Sequence, residues 1–272
     1  MTKSAAVGAG MPAVCRLGLA TRGGSGLSAL DVEWAIERGI NYLNWCGHPD
    51  GLSAAIAGLG RARSRVVIAF QFQARTRDEA VREFDETLAR LRTDRIDVAT
   101  LYYVESEMDW GEIMAPGGVW DFLDQQKRSG RLGLIGLTGH QRKLAAKWAQ
   151  TGRLDLLMVR YNAAHRGAER DIFPVTSARG MPVVTFTGLR WKALLNPTPD
   201  DPPEFRPVAA SEYYRFCLAN ENVTVALTAP GNRRELEENL RLLDDWRLPS
   251  AEEFAAIRGH GDRVRRHSGA FW

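Results

Sequence analysis

The feature that most restricts the fold of this 272-residue chain is a repeated alternation of short β-branched runs with amphipathic segments, with no hairpin turn between neighbouring runs. RVVIAFQFQ (65–73) precedes TRDEAVREFDETLARLRT (76–93), where Val81, Phe84, Leu88 and Leu91 recur at helical spacing and make one face apolar. The cycle continues with RIDVATLYYV, a helix around GGVWDFLDQQKRSG, LGLIGLTGH, the helix QRKLAAKWAQTG, LDLLMVRYN, a helix near DIFPVTSARG, and MPVVTFTG. After a Pro-rich loop at 196–208 it resumes with ASEYYRFCLAN, VTVALTAP, NRRELEENLRLL and a last helix from about Ser250. With CRLGLA and INYLNW at the front, eight strands are expected, each followed by a helix or helical turn. Strands joined through crossovers pair in parallel, and eight such units close into an α/β fold, the (β/α)8 TIM barrel. Gly39, Gly130, Gly152 and Gly180 stand where helices end, at positions that call for positive φ. Residues 1–13 read as a flexible N-terminal tail and 14–272 as a single barrel domain, with the Pro-rich stretch as a loop over the barrel mouth.

Composition narrows the function. Lysine and arginine total 36 against 33 acidic residues, and the basic side chains are interspersed with acidic ones, which argues against a nucleic-acid partner. Cys15, Cys46 and Cys217 are odd in number and far apart, so neither a disulfide framework nor a CxxC zinc site is expected and a reducing cytoplasm fits. No apolar run reaches the ~18 residues of a membrane span. Gly and Pro interrupt the N-terminal MTKSAAVGAGMPAV, which leaves a cleaved signal as the alternative to a loose tail.

NYLNWCGHPDG (41–51) packs Cys46, His48 and Asp50 into five residues. Three readings are open: a metal site completed from elsewhere, for example by His140; a tight turn in which Asp50 caps the helix GLSAAIAGL; or a pocket in which His48 is an acid or base. Gln71, Tyr102 and Asn44 fall on the inward register of their strands, at one level of the barrel's C-terminal mouth, where a polar side chain belongs to a site rather than to a core. Tyr103 and Glu105 are ambiguous in parity, and Arg160 shares parity with Met158 and so either clamps an anionic substrate or bridges to a loop. His165, His260 and His267 are assigned no chemistry.

Four motifs, ERGINYLN, LARLRTDRID, MVRYNAAHR and APGNRRELEENLRLL, stand in the order and spacing of the aldo-keto reductase family, which the chain resembles from Leu17 to about Val264. The resemblance implies a (β/α)8 barrel that uses NADPH to reduce carbonyls, with an aspartate, a tyrosine, a lysine and a histidine at the strand ends. Asn44 stands at the aspartate position, Gln71 at the lysine and Tyr102 at the histidine; where the tyrosine would follow, the chain has His48, Pro49 and Asp50. A phenol without a cationic neighbour stays near pKa ~10, so the usual acid is missing. Neutral amides at both ends of a former ion pair avoid an unpaired buried charge, which reads as an adjusted pocket. On the cofactor side, Thr138, Gly139 and Met158 replace the residues that hold the nicotinamide carboxamide. Phe186, followed by Thr187, matches the aromatic that stacks on the nicotinamide; Thr21 joins the cofactor set; and Asn232, Arg233, Arg234, Glu235 and Asn239 resemble the segment that holds the adenosine 2′-phosphate.

The expected activity is a divergent NADPH-dependent reduction of a carbonyl or other polarised double bond on a small-molecule substrate. Tyr102 or His48 would supply the proton, Asn44 and Gln71 would orient the substrate, Phe186 would stack on the nicotinamide, and Arg233 and Arg234 would hold its phosphate. Two alternatives stay open: a lyase, dehydratase or isomerase working in the same mouth, and a binding protein that kept the fold without the chemistry. Trp110, Trp191 and Phe205 either line an apolar pocket or pack loops onto the barrel, and the sequence fixes neither substrate nor oligomeric state.

Overall fold

The computed structural model describes residues 1–21 and 25–269. Eight parallel strands follow one another around a closed barrel: β3 (Leu17–Ala20), β4 (Tyr42–Trp45), β5 (Val67–Phe72), β6 (Ile96–Leu101), β7 (Leu132–Gly139), β8 (Leu156–Arg160), β9 (Val183–Phe186) and β10 (Val225–Thr228), which returns to β3. Two short strands precede them, β1 (Ser4–Ala5) and β2 (Val14–Cys15), paired antiparallel.

Local chemistry sets the helices between the strands. Thr76 caps Arg77–Leu91 reciprocally with Glu79, and the helix stops at Arg92 in the left-handed region, φ 48°. Its buried face is Ala80, Phe84, Leu88 and Leu91; Val81, expected on that face, is 39% exposed because the helix turns it outward. The four glycines expected at helix ends all have positive φ.

Alternation along the strands sorts the core into two parts. Tyr42, Val67, Ala69, Val98, Leu156, Met158, Val184, Val225 and Leu227 fill the barrel, while the residues between them pack outward under the helices. The N-terminal segment corrects the expectation of a flexible tail. Residues Ser4–Ala5 pair with Val14–Cys15 at the barrel's N-terminal end, and Val7 and Val14, both buried, join the interior cluster. An unplugged barrel would leave this apolar filling open to water, which is the physical reason the segment folds back. Arg16 fastens the plug by donating to the carbonyls of Leu218 (3.0 Å) and Val223 (2.6 Å).

The 196–208 loop docks against the helix Ala251–Arg266. Asp201 accepts from the backbone and hydroxyl of Thr198 and from Arg263, and the Phe205 ring lies 4.9 Å from that of His260. Among the described residues no helix is long and apolar enough to cross a membrane.

Candidate functional site

A cleft of about 1000 Å³ opens at the C-terminal ends of the strands and runs from β4, β5 and β6 past β9 to the helix Arg233–Leu240. At its first end it is lined by Asn44, Cys46, His48, Gln71, Gln73, Tyr102 and Tyr103, and at the other by Arg234, Glu235 and Asn239. All four expected catalytic residues therefore border one cavity, in unequal positions. Asn44 has no exposed surface, and its Oδ1 has no hydrogen-bond partner while Nδ2 meets Cys46 Sγ at 3.9 Å. It pairs in register with Ala69, so Gln71, two residues further along β5, sits one layer higher and is half-buried. The expectation that the two amides share a level is corrected by this stagger, which closure of a tilted barrel imposes on neighbouring strands.

The stretch between β4 and the next helix is a capped turn. Asp50 caps Gly51–Gly58 by accepting from the Ser53 backbone (2.8 Å), and the Thr21 hydroxyl donates to the same carboxylate; Gly47 supplies φ 91°. Thus Thr21, buried at the cleft wall, spends its hydroxyl on Asp50. His48 is exposed at the rim, with its carbonyl accepting from Trp45 Nε1 at 2.7 Å. Burial, with Asp50 nearby, pushes the Cys46 thiol up to about 12. Among the described residues no three His, Cys, Asp or Glu side chains converge as a metal site.

Tyr102 is half-buried, and burial first, then a hydrogen bond with Tyr103, pushes its phenol well above the ordinary range. Its ring stacks on Tyr103 with centroids 3.9 Å apart; Tyr103 lies 4.8 Å from His140, and His140 meets Phe186 edge-on at 5.7 Å. Four rings thus form a continuous wall from β6 to β9. Tyr103 takes φ 45°, and this left-handed turn decides the parity that the sequence left ambiguous by swinging the ring into the cleft. The sequence leaves Tyr103 ambiguous and Gln73 unassigned, although Gln73 shares the parity of Gln71 and could have been found by it.

On the cofactor side, Thr138, Met158, Phe186, Thr187, Glu235 and Asn239 all line the cleft. Thr138 donates its hydroxyl to the Met158 carbonyl (3.1 Å), and Asn239 donates to Thr228 (2.6 Å). Glu235 accepts from the Gly231 backbone (2.8 Å) and pairs with Lys192, which reaches across from the segment after β9. Arg233 departs from expectation. Its guanidinium lies 3.8 Å from the Trp34 ring and pairs with Asp31 and Glu237, and it does not line the cleft. Consecutive helix residues point about 100° apart, so only one of the two arginines faces the cavity. That one is Arg234. Of the other basic residues at this end, Lys192 pairs with Glu235 and Arg241 with Glu238, whereas Arg234 has no carboxylate partner among the described residues.

Arg160 lies behind the ring wall, opposite Phe186 in register, with His140, Arg142 and His165 around a void of about 10 Å³. Burial, then Arg142 and Arg190, lowers its pKa to about 10; burial, then Arg160 and Arg190, lowers that of His165 to about 4. Of the three aromatics held open by the sequence, Trp191 lines the cleft and is 56% exposed, whereas Trp110 stacks on Trp148 and Phe205 packs at a tilt against His260.

The sequence model of the aldo/keto reductase family matches residues 28–212. The uncharacterized oxidoreductase YrpG of Bacillus subtilis is 24% identical over 189 residues, 58% of this chain and 56% of that protein, so the chain spans about half the length of this relative. Among solved structures, the holo form of aldo-keto reductase AKR11C1 from Bacillus halodurans is similar with a TM-score of 0.76 at 17% identity, covering 96% of each chain. An aldo-keto reductase from Klebsiella pneumoniae, in complex with NADP and acetate, gives 0.74 at 17% identity over 92% of each chain. These identities speak for the fold, and the family match covers more than half of the sequence: the chain belongs to the aldo/keto reductase family.

Proposed function

We propose that the protein binds NADPH in this cleft and reduces a carbonyl or another polarised double bond of a small molecule, with a proton-donating arrangement of its own. One observation carries the reading: a single cavity joins the phenols and amides at β4–β6 to Phe186 in the middle and to Arg234 beside the N-terminus of Arg233–Leu240. A helix N-terminus with an arginine that has no carboxylate partner among the described residues suits a phosphate by dipole, charge and fork geometry. The Klebsiella relative described in complex with NADPH supports the choice of dinucleotide.

When bound, the dinucleotide supplies a hydride; the chain's own residues must hold it, orient the acceptor and deliver a proton. The residues fit the group unevenly. Arg234 is available at the phosphate end and Phe186 offers a flat apolar face, but Thr138 has spent its hydroxyl on Met158 and neither Gly139 nor Met158 carries an amide for the carboxamide. Affinity should therefore be concentrated at the phosphate. Gln71 and Gln73, each with donors and an acceptor, orient the substrate from above, and Asn44 shapes the floor.

Tryptophan fluorescence, with Trp191 at the cleft, reads binding directly. NADPH should quench it saturably at micromolar concentration. Arg234→Ala should weaken NADPH about 10- to 100-fold, the worth of a charge-assisted bond, and NADH far less. No saturable quenching at millimolar NADPH removes the reading, and equal losses for the two dinucleotides remove the phosphate assignment.

A second reading, a protein that holds the dinucleotide without turnover, draws on the mouth's lack of fixed charge. At the β4–β6 end no lysine or carboxylate lines the cleft among the described residues, and the Tyr102 phenol is pushed up by burial.

A further inference from the structure

We infer that Tyr103 is the catalytic proton donor of this mouth and that Tyr102 is a positioning residue behind it. The inference rests on the reductase reading above and names the acid that reading requires.

Reach separates the two phenols. Both line the cleft, but Tyr103 is 37% exposed, whereas Tyr102 is half-buried and stacked against its ring. Two rings hold Tyr103, Tyr102 stacked at 3.9 Å and His140 tilted against it at 4.8 Å, and His140 in turn abuts Phe186, so the phenol is tied by packed rings to the platform on which the acceptor would be reduced. The backbone is held against its preference: a non-glycine residue at φ 45° persists where its surroundings over-determine it. Here Arg75 donates to the Tyr102 carbonyl at 2.6 Å and to the Tyr103 carbonyl at 3.4 Å, and the Val104 backbone donates to Thr138 at 3.3 Å.

Proton bookkeeping points the same way. The phenols share a hydrogen bond, and its proton is assigned to Tyr102, the more buried of the two. The Tyr102 proton is thereby committed inward, and that of Tyr103 is left to face the cleft. Once Tyr103 has given its proton away, Tyr102 O–H stabilises the phenolate, and the Arg160 charge behind the wall acts in the same sense. With the bound dinucleotide supplying a hydride to the acceptor carbon, the C=O π pair would move onto oxygen and Tyr103 Oη would pass its proton to that oxygen. A proton taken up from bulk solvent would then restore the phenol, so that each turnover consumes one hydride and one proton.

Two measurements test this, one without cofactor. Tetranitromethane attacks phenolates; it should nitrate Tyr103 first among the six tyrosines, located by peptide mass spectrometry, and Tyr102→Phe should slow that nitration about fivefold or more while the fold persists by circular dichroism. A merely exposed tyrosine would react as fast in Tyr102→Phe, and that result overturns the inference. With NADPH and 4-nitrobenzaldehyde, Tyr103→Phe should lower kcat about 10²- to 10⁴-fold, leaving KM and NADPH affinity within about twofold, and Tyr102→Phe should cost about tenfold. A loss in Tyr102→Phe equal to or larger than that in Tyr103→Phe also overturns it. Failure of NADPH to bind the unaltered protein is seen in the fluorescence titration, so collapse of the reductase reading is distinguished from collapse of this one.

Discussion

Asn44 is held without exposed surface and with Oδ1 unpartnered, a condition that costs about 1–3 kcal/mol for a buried acceptor. Asn44→Leu, similar in volume, should leave stability unchanged or raise it by about 1 kcal/mol in urea unfolding, while Asn44→Asp should lower it by about 3 kcal/mol or more by burying an unpaired charge. Equal stability of the two variants would show that the site is wetter than its burial implies. At this scale the sequence was legible in identity but not in direction. That Asn44, Gln71 and Tyr102 border one cavity followed from strand alternation. That Asn44 lies a layer below Gln71 depends on barrel stagger, that Arg233 turns to Trp34 depends on helix phase, and that Tyr103 reaches the cleft depends on a left-handed φ. None of these leaves a periodic mark in the residues.

Among the elements, the barrel strands and the helices that cover them were readable because each repeats its apolar spacing over several residues. The N-terminal hairpin was not: β1 and β2 are two residues each, too short for alternation to register, and their hold comes from long-range contacts of Val7 and Val14 inside the barrel. Val7→Ser should cost about 2–3 kcal/mol, from lost apolar burial and a hydroxyl placed among hydrocarbon. It should leave NADPH affinity unchanged, because the plug closes the end of the barrel opposite the cleft. Urea unfolding and the fluorescence titration check the two halves. An unchanged unfolding midpoint would mean the hairpin is not part of the cooperative core.

For the whole molecule, consecutive parallel strands place every βα segment at one mouth, so residues scattered from Thr21 to Asn239 meet around one cavity. The family followed from motif order along the chain, which survives substitution of the reacting residues. The activity is harder to read because a fold outlasts any one catalytic set, and among the described residues the β4–β6 end of the cleft is lined by amides and phenols with no lysine or carboxylate. The central claim is that hydride still moves in this cleft. The direct test incubates the protein with NADPH deuterated at C4 and 4-nitrobenzaldehyde and examines the alcohol by mass spectrometry. Deuterium on the former carbonyl carbon, with formation slowed by Tyr103→Phe, is the predicted result; saturable NADPH binding with no labelled alcohol from any aldehyde or ketone supplied would contradict it.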